Sequence, residues 1–159
     1  GATPFRRWKR ETYRGGVSDP CIVSWPSRIS AAGEVRSQYS HAIDVAPTIL
    51  DAAGLGFADE VDGASLVPLG TDTDADWRED VVCETHGHGE EHLGRAVMAD
   101  RYKYVANKGQ MDELYDLAED PYEMVNLIGD PAHGDVLSEM QQRLSRWQES
   151  TSDPHSVMD

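Results

Sequence analysis

"GRAVMADRYKYVAN" (residues 94–107) carries a clear secondary-structure signal. It contains two runs, 94–100 and 102–107, in which apolar and polar side chains partly alternate around an Asp-Arg dipeptide. Alternation with a period of two predicts β-strands, and so short a separation predicts a tight antiparallel hairpin. The fold is therefore expected to be organised around paired strands in the second half of the chain.

Two further strand candidates flank this hairpin, "DVVCET" (80–85) and "ELYDL" (113–117). They are followed by "DVLSEMQQRLSRWQES" (135–150), where Leu137, Met140, Leu144 and Trp147 recur at steps of three and four residues. This spacing places the four side chains on one face of a helix. The pattern predicts a small four-stranded antiparallel sheet packed by a C-terminal helix.

The first half of the chain has a different pattern. "CIVSW" (21–25) is an apolar run stopped by Pro26, which predicts a short buried strand. Residues 40–54 predict a helix, with Asp44 placed to cap it and Gly54 to end it. The chain is thus divided into an α/β part, a connection, the sheet-and-helix part and a tail, at residues 1–54, 55–80, 81–150 and 151–159.

Acidic residues outnumber basic ones, at 29 against 14, and the formal net charge is -15. A surface this acidic is solvated and repels nucleic acid and anionic membranes. No apolar run approaches the roughly 20 residues of a membrane-spanning helix. Cys21 and Cys83 stand alone in apolar contexts, which predicts two buried thiols, with a disulfide as the alternative, and their spacing does not match a metal site.

Five of the 14 basic residues crowd into "FRRWKRETYRGG" (residues 5–16), here called the basic loop. Clustered guanidinium and ammonium groups are suited to binding an oxyanion, and neighbouring glycines let backbone amides approach it. The alternative is an ordinary solvated loop.

Several blocks of sequence carry a resemblance. They are "KRETYRGGVSDP" (9–20), "IVSWP" (22–26), H-x-x-D-V-x-P-T-I-L-D-x-x-G (41–54), D-G-x-S-L-x-P-L (62–69) and "RYKYV…DELYDLAEDPYEMVNL" (101–127). In this order and spacing the chain resembles the C-terminal part of the sulfatase family of alkaline-phosphatase-like enzymes. The resemblance implies an α/β fold and a small sulfated substrate.

The same resemblance implies a role for Lys9. In sulfatases, a lysine four residues before a tyrosine and six before a Gly-Gly pair contacts the substrate sulfate, and Lys9, Tyr13 and Gly15 match that pattern. The family usually has an acid before the glycines, whereas this chain has Arg14. His41, in the family's H-x-x-D block, is interpreted either as a capping residue or as a substrate-binding residue at the rim of the active site.

Histidines are concentrated in "ETHGHGEEHLGR" (84–95), at positions 86, 88 and 92. This segment is predicted to be a loop between strands. It would be a solvent-exposed loop, a substrate-specificity loop in which His86 and His88 bind substrate, or a metal site. Residues 113–127, although rich in carboxylates, are interpreted as structural, with turns at Asp120-Pro121.

The family's nucleophile and metal site are not encoded here. Sulfatases convert the Cys or Ser of a C/S-x-P-x-R motif to formylglycine and use a calcium ion, and neither Cys21 nor Cys83 lies in that motif. The chain is therefore expected to be a C-terminal fragment of a sulfuric ester hydrolase, inactive alone and without metal ligands. The alternatives are a non-catalytic anion-binding or assembly module, or part of a phosphate or phosphonate monoester hydrolase of the same superfamily.

Overall fold

The computed structural model describes residues 3–30, 33–87, 91–155 and 157, apart from the side chain of Glu91, and divides into two compact units. One unit contains Gly1–Pro20 and Asp80–Asp159, and the other contains Cys21–Glu79. The first twenty residues thus group with the sheet rather than with the segment that follows them. The predicted division of the chain at residues 1–54, 55–80, 81–150 and 151–159 stays a prediction.

Four antiparallel strands form the sheet of the first unit, in chain order: β1 (Asp80–Gly87), β2 (Glu91–Ala99), β3 (Tyr102–Asn107) and β4 (Glu113–Asp116). The described α-helices are α1 (Arg14–Val17), α2 (Val45–Ala52), α3 (Val67–Thr71) and α4 (Gly134–Thr151). The four-stranded sheet and the C-terminal helix predicted from the sequence are both confirmed. The hairpin predicted for residues 94–107 is formed by β2 and β3, which pair Val97 with Tyr104.

Helix α4 covers one face of the sheet. Met140 and Leu144 are buried against Val97, Tyr104 and Leu114 in a single apolar cluster. Residues opposite one another in an antiparallel pair point to the same side of the sheet, so the partners Val97 and Tyr104 share this face. Leu137 and Trp147 pack at the edge of the cluster, as the spacing along the helix predicts.

The opposite face of the sheet is covered by the first twenty residues. Register places Met98, Lys103 and Tyr115 side by side on this face. Lys103 is fully buried there, and its ammonium group donates a hydrogen bond to the backbone carbonyl of Thr12 in the N-terminal segment. The unit therefore has three layers, which are helix α4, the sheet and the N-terminal segment.

The segment after α4 is also anchored to the sheet. Asp153 accepts hydrogen bonds from the buried guanidinium of Arg95 at 2.8 and 3.1 Å, and Val157 belongs to the apolar cluster. Ser152 ends α4 in the left-handed conformation, with φ 52°, and turns the chain towards Arg95. Asp153 lies in the segment predicted as a tail, and it is held in place because the buried cation of Arg95 needs a partner.

We expect Asp153→Asn to lower the free energy of unfolding by about 2 kcal/mol at pH 7. Hydrogen bonds from Arg95 lower the pKa of the Asp153 carboxyl to about 2, from an ordinary 3.8. Because the folded-state pKa is the lower one, this stabilisation is complete above about pH 5 and is lost as the pH falls towards 2. Denaturant unfolding across that range measures the effect. Asp59→Asn, at an exposed position, is the control, and equal acid sensitivity of Asp153→Asn and the wild type would contradict the assignment.

Polar contacts around Asp44 organise the unit of residues 21–79. Its buried carboxylate accepts hydrogen bonds from the guanidinium of Arg78 at 2.7 and 2.8 Å and from the backbone amides of His41 and Ala64 at 2.7 and 2.9 Å. A 3-10 turn, Ala42–Asp44, leads into α2, and Gly54 follows its end with φ 72°. The helix and its stop are confirmed, but Asp44 fixes the turn before α2 rather than capping α2 itself.

The prediction of a buried strand at residues 21–25 is wrong for this structure. These residues are not in a β-strand, Ile22 is 91% exposed, and Cys21 is exposed rather than buried. No strand lies among the described residues of the 21–79 unit, so the run has no neighbour with which to form ladder hydrogen bonds. An apolar groove of about 940 Å³ lies beside it, lined by side chains that include Ile22, Val35 and Ile49.

Within the described residues, no helix combines the length and the apolar character that crossing a membrane requires.

Candidate functional site

The basic loop closes on itself at the two glycines. The Gly15 amide donates to the carbonyl of Arg6 at 3.2 Å, and the Gly16 amide donates to the carbonyl of Tyr13 at 2.7 Å. A Cβ atom on Gly15 would lie 2.3 Å from the Arg6 carbonyl oxygen, a distance that no real contact allows. The close approach of two backbone segments therefore requires glycine at this position.

Two of the five basic residues hold the loop on the turn at residues 120–124. The guanidinium of Arg6 donates to the carbonyl of Glu123 at 2.5 Å and lies 4.5 Å from the centre of the Tyr13 ring. The guanidinium of Arg14 donates to the carbonyl of Pro121 at 3.0 Å and lies over the Phe5 ring. Arg14, which departs from the usual family residue, thus has a structural role in holding the loop.

An ion pair lies beneath the loop. The ammonium of Lys103 and the carboxylate of Glu123 are hydrogen-bonded, and both side chains are fully buried. The second oxygen of Glu123 accepts the backbone amide of Arg14 at 2.8 Å, while Lys103 also donates to the Thr12 carbonyl. Burial lowers the pKa of the Lys103 ammonium, and the negative charge of Glu123 opposes this shift.

A second set of hydrogen bonds reaches the loop through Tyr13. The Tyr13 hydroxyl donates to Glu113 at 3.0 Å, and the same carboxylate accepts from Tyr115 at 2.5 Å and from the Asn107 amide at 3.3 Å. Burial and the negative charge of Glu113 raise the pKa of Tyr13, so its hydroxyl stays protonated at neutral pH. Because the Asn107 amide nitrogen is used as a donor, its oxygen accepts from His92 Nε2 at 3.0 Å.

The remaining three basic residues of the loop, Arg7, Lys9 and Arg10, are exposed. Among the residues that the structure describes, none of their side chains has a hydrogen-bonding or ionic partner. Arg7 and Arg10 have positive φ angles of 61° and 88°, a conformation that costs non-glycine residues energy and is retained where surrounding contacts impose it. The loop therefore presents three unpaired cations from a backbone that is anchored on both sides of them.

The β1–β2 hairpin is attached to the same loop. The Thr85 hydroxyl donates to the carbonyl of Arg10 at 2.8 Å, and His86 is the next residue along β1. The predicted loop at 84–95 is wrong at both ends, because β1 continues to Gly87 and β2 begins at Glu91. His86 is exposed and its ring meets that of His155 edge-on, with centroids 5.1 Å apart. His88 lies outside the described residues.

His41 has a capping position. Its Nδ1 accepts the backbone amide of Ile43 at 3.2 Å, and Asp44 in return accepts the amide of His41. This reciprocal arrangement is the capping role that the sequence suggested. A role for His41 in substrate binding stays a prediction.

Comparison with known proteins identifies the family. The C-terminal domain described as "N-sulphoglucosamine sulphohydrolase, C-terminal" matches residues 6–150. This chain belongs to the sulfatase family, as a C-terminal domain. An N-acetylglucosamine-6-O-sulfatase from Bacteroides thetaiotaomicron is 31% identical over 153 residues, which cover 91% of this chain and 27% of that protein. The resemblance stated from the sequence is confirmed.

Solved structures agree with this assignment. The sulfatase domain is similar to BT4656, solved in complex with its substrate D-glucosamine-2-N,6-O-disulfate, with a TM-score of 0.77 and 28% identity. That match covers 87% of this chain and 29% of BT4656. A phosphonate monoester hydrolase of Agrobacterium radiobacter matches with a TM-score of 0.58 and 29% identity, over 70% of this chain and 25% of that protein. The domain thus spans between a quarter and a third of these relatives.

The described part of this sulfatase domain contains no group of side chains that could by itself hold the family's calcium ion. Residues 3–30, 33–87, 91–155 and 157 contain no cluster of three or more His, Cys, Asp or Glu side chains arranged to hold a metal. Cys83, whose thiol has its pKa raised by burial, is not followed by the Pro and Arg of the formylglycine motif. The residues present therefore do not fit either group.

Sequence reasoning missed the residues that hold the loop, namely Thr85, Lys103, Glu113 and Glu123. A signal was present for one of them, because Lys103 interrupts the otherwise apolar and aromatic run "YKYVA" of β3. A charge inside a strand that is buried on both faces requires a partner. Nothing in the local sequence indicates that this partner is Glu123 or that the pair contacts residues 12–14.

Proposed function

We propose that this domain forms the C-terminal part of a sulfatase that hydrolyses sulfate esters, and that Lys9 contacts the sulfate group of the substrate. The observation that carries the proposal is the exposed ammonium of Lys9, which has no bonded partner among the described residues and lies on a loop whose Arg6 and Arg14 side chains are bound to the turn at residues 120–124. A cation held in place beside the sulfuryl oxygens stabilises the negative charge that develops as the S–O bond breaks.

The exposed cations Arg7 and Arg10 support the same role. They flank Lys9 closely in sequence and raise the local positive potential of a chain whose net charge is -15. An acidic surface with one basic patch directs an anionic substrate to that patch. The domain would contribute binding and charge stabilisation, while formylglycine and calcium, which the family implies, would be supplied by residues outside those described here.

Sulfated sugars are the substrate class that we propose to test first. The similar proteins include an N-acetylglucosamine-6-O-sulfatase and a structure bound to a disulfated glucosamine. Next to the basic loop, the hairpin anchored by Thr85 carries His86 and His92, and imidazoles can hydrogen-bond sugar hydroxyls. His88, in the same hairpin, is included in this proposal from the sequence alone.

A second candidate reaction is phosphonate monoester hydrolysis, which is favoured by the similarity to the Agrobacterium radiobacter enzyme. The two reactions are distinguished by assaying the complete enzyme on a sulfated glucosamine and on a phosphonate monoester. We expect faster release of sulfate. Faster cleavage of the phosphonate ester would replace the proposed reaction with the second candidate, and turnover of neither substrate would favour a non-catalytic anion-binding module.

A further inference from the structure

The buried ion pair beneath the basic loop is hydrogen-bonded to the backbone of that loop. Lys103 and Glu123 are both 0% exposed, and they lie on the face of the sheet that the N-terminal segment covers. Burying two charges is costly unless their remaining hydrogen-bonding groups are satisfied. Here the groups that satisfy them belong to the loop, since Lys103 donates to the Thr12 carbonyl and Glu123 accepts the Arg14 amide at 2.8 Å.

The backbone of Glu123 adds a second connection. Its carbonyl accepts the guanidinium of Arg6 at 2.5 Å, and its φ of 58° lies in the left-handed region, which a side chain other than glycine seldom adopts. Asp120 holds this turn by accepting the amides of Met124 and Val125 at 2.6 and 2.8 Å. The turn and the ion pair therefore contact the loop on both sides of Lys9, at Arg6 and at residues 12–14.

We propose that the Lys103–Glu123 ion pair is the positioning element of the substrate site, fixing the basic loop so that the ammonium of Lys9 is held where the sulfate binds. This inference rests on the proposed function of Lys9. Neither Lys103 nor Glu123 contacts substrate, because both are fully buried. They act through the backbone of Thr12 and Arg14.

A charge-neutral double variant, Lys103→Met/Glu123→Leu, tests the proposal in the complete enzyme. Apolar residues of similar size replace a buried ion pair without leaving an unpaired charge, so folding is retained. The net charge is unchanged, so a general change in electrostatic potential cannot explain an effect on an anionic substrate. We expect kcat/KM for a sulfate ester to fall by about 100-fold, because small displacements of a charge-stabilising group are costly in catalysis.

The matched control removes an ion pair on the other face of the same sheet. In Arg95→Met/Asp153→Leu the lost pair is also buried, with side chains 0% and 3% exposed, but it joins β2 to the segment after α4 rather than to the basic loop. We expect this variant to keep wild-type kcat/KM at a temperature where both variants are folded. Equal losses in the two variants would overturn the positioning role, because a general loss of stability would then explain both.

A second readout measures the loop itself. Hydrogen–deuterium exchange of the peptide covering residues 10–16 should be faster in Lys103→Met/Glu123→Leu and unchanged in the control. Combining the double variant with Lys9→Ala should give no further loss beyond Lys9→Ala alone, since both changes remove the same interaction. Unchanged exchange, or fully additive losses, would overturn the inference.

The two proposals fail in different ways. If Lys9→Ala alone has full activity, the proposed function of Lys9 is wrong and the positioning role falls with it. If Lys9→Ala is impaired but Lys103→Met/Glu123→Leu has full activity, Lys9 keeps its proposed function and only the positioning role is overturned.

Discussion

Replacing Lys9 with alanine in the complete enzyme is expected to lower kcat/KM for a sulfate ester by about 100- to 1,000-fold, the range seen when one charge-stabilising donor is removed from an active site. The fall should appear mainly in kcat, because the interaction strengthens as charge accumulates on the sulfuryl oxygens. Stability should not change, because the Lys9 side chain is exposed and has no polar partner among the described residues. Steady-state kinetics and denaturant unfolding measure the two quantities.

Lys108→Ala is the matched control for Lys9→Ala. Lys108 is also an exposed lysine, but it lies between β3 and β4. Removing it changes the net charge by the same amount, so a loss of activity common to both variants would indicate a general electrostatic effect. An unchanged kcat/KM in Lys9→Ala would contradict the proposed contact with sulfate.

Gly16→Ala is expected to destabilise the unit that contains the sheet by about 3 kcal/mol, the upper part of the usual range for overpacking. A Cβ at this position would lie 2.2 Å from the carbonyl oxygen of Glu11 and 2.7 Å from that of Trp8. Both atoms belong to the backbone, so the loop has to open to relieve the contact. We therefore expect kcat/KM in the complete enzyme to fall together with stability.

Gly129→Ala is the control for Gly16→Ala. Nothing lies within 4 Å of a Cβ built on Gly129, and its φ is not in the left-handed region. Alanine there is expected to be neutral or to stabilise by about 0.5 kcal/mol, because it reduces the entropy of the unfolded chain. A wild-type unfolding midpoint for Gly16→Ala would show that the loop is not closed by the contacts described.

The sheet and its helix were predictable because their signals are local. Alternation in residues 94–107 and the three-and-four spacing of Leu137, Met140 and Leu144 each lie within a few residues of sequence, and the structure confirms the elements they predict. The strand expected at residues 21–25 was not found. An apolar run indicates a strand only where a neighbour pairs with it, and pairing is not a local property.

The candidate site was predictable in part. The five basic residues and the two glycines were visible in the sequence. Which of the basic side chains would be bound to the protein, and which would stay exposed, was not. Arg6 and Arg14 bind the turn at residues 120–124, more than a hundred positions away, whereas Lys9 is left exposed. The role of Lys9 at a sulfate group stays a prediction.

The four strands, the C-terminal helix and the family can be predicted from the sequence, because hydrophobic periodicity and motif order are properties of the linear chain. Which basic side chains are bound to the protein and which stay exposed depends instead on how the domain packs. The buried pair of Lys103 and Glu123 engages the backbone at residues 12–14 across 91 and 109 positions of sequence. Contacts over such separations depend on how the sheet, the turn and the loop pack in space, and no local pattern records them.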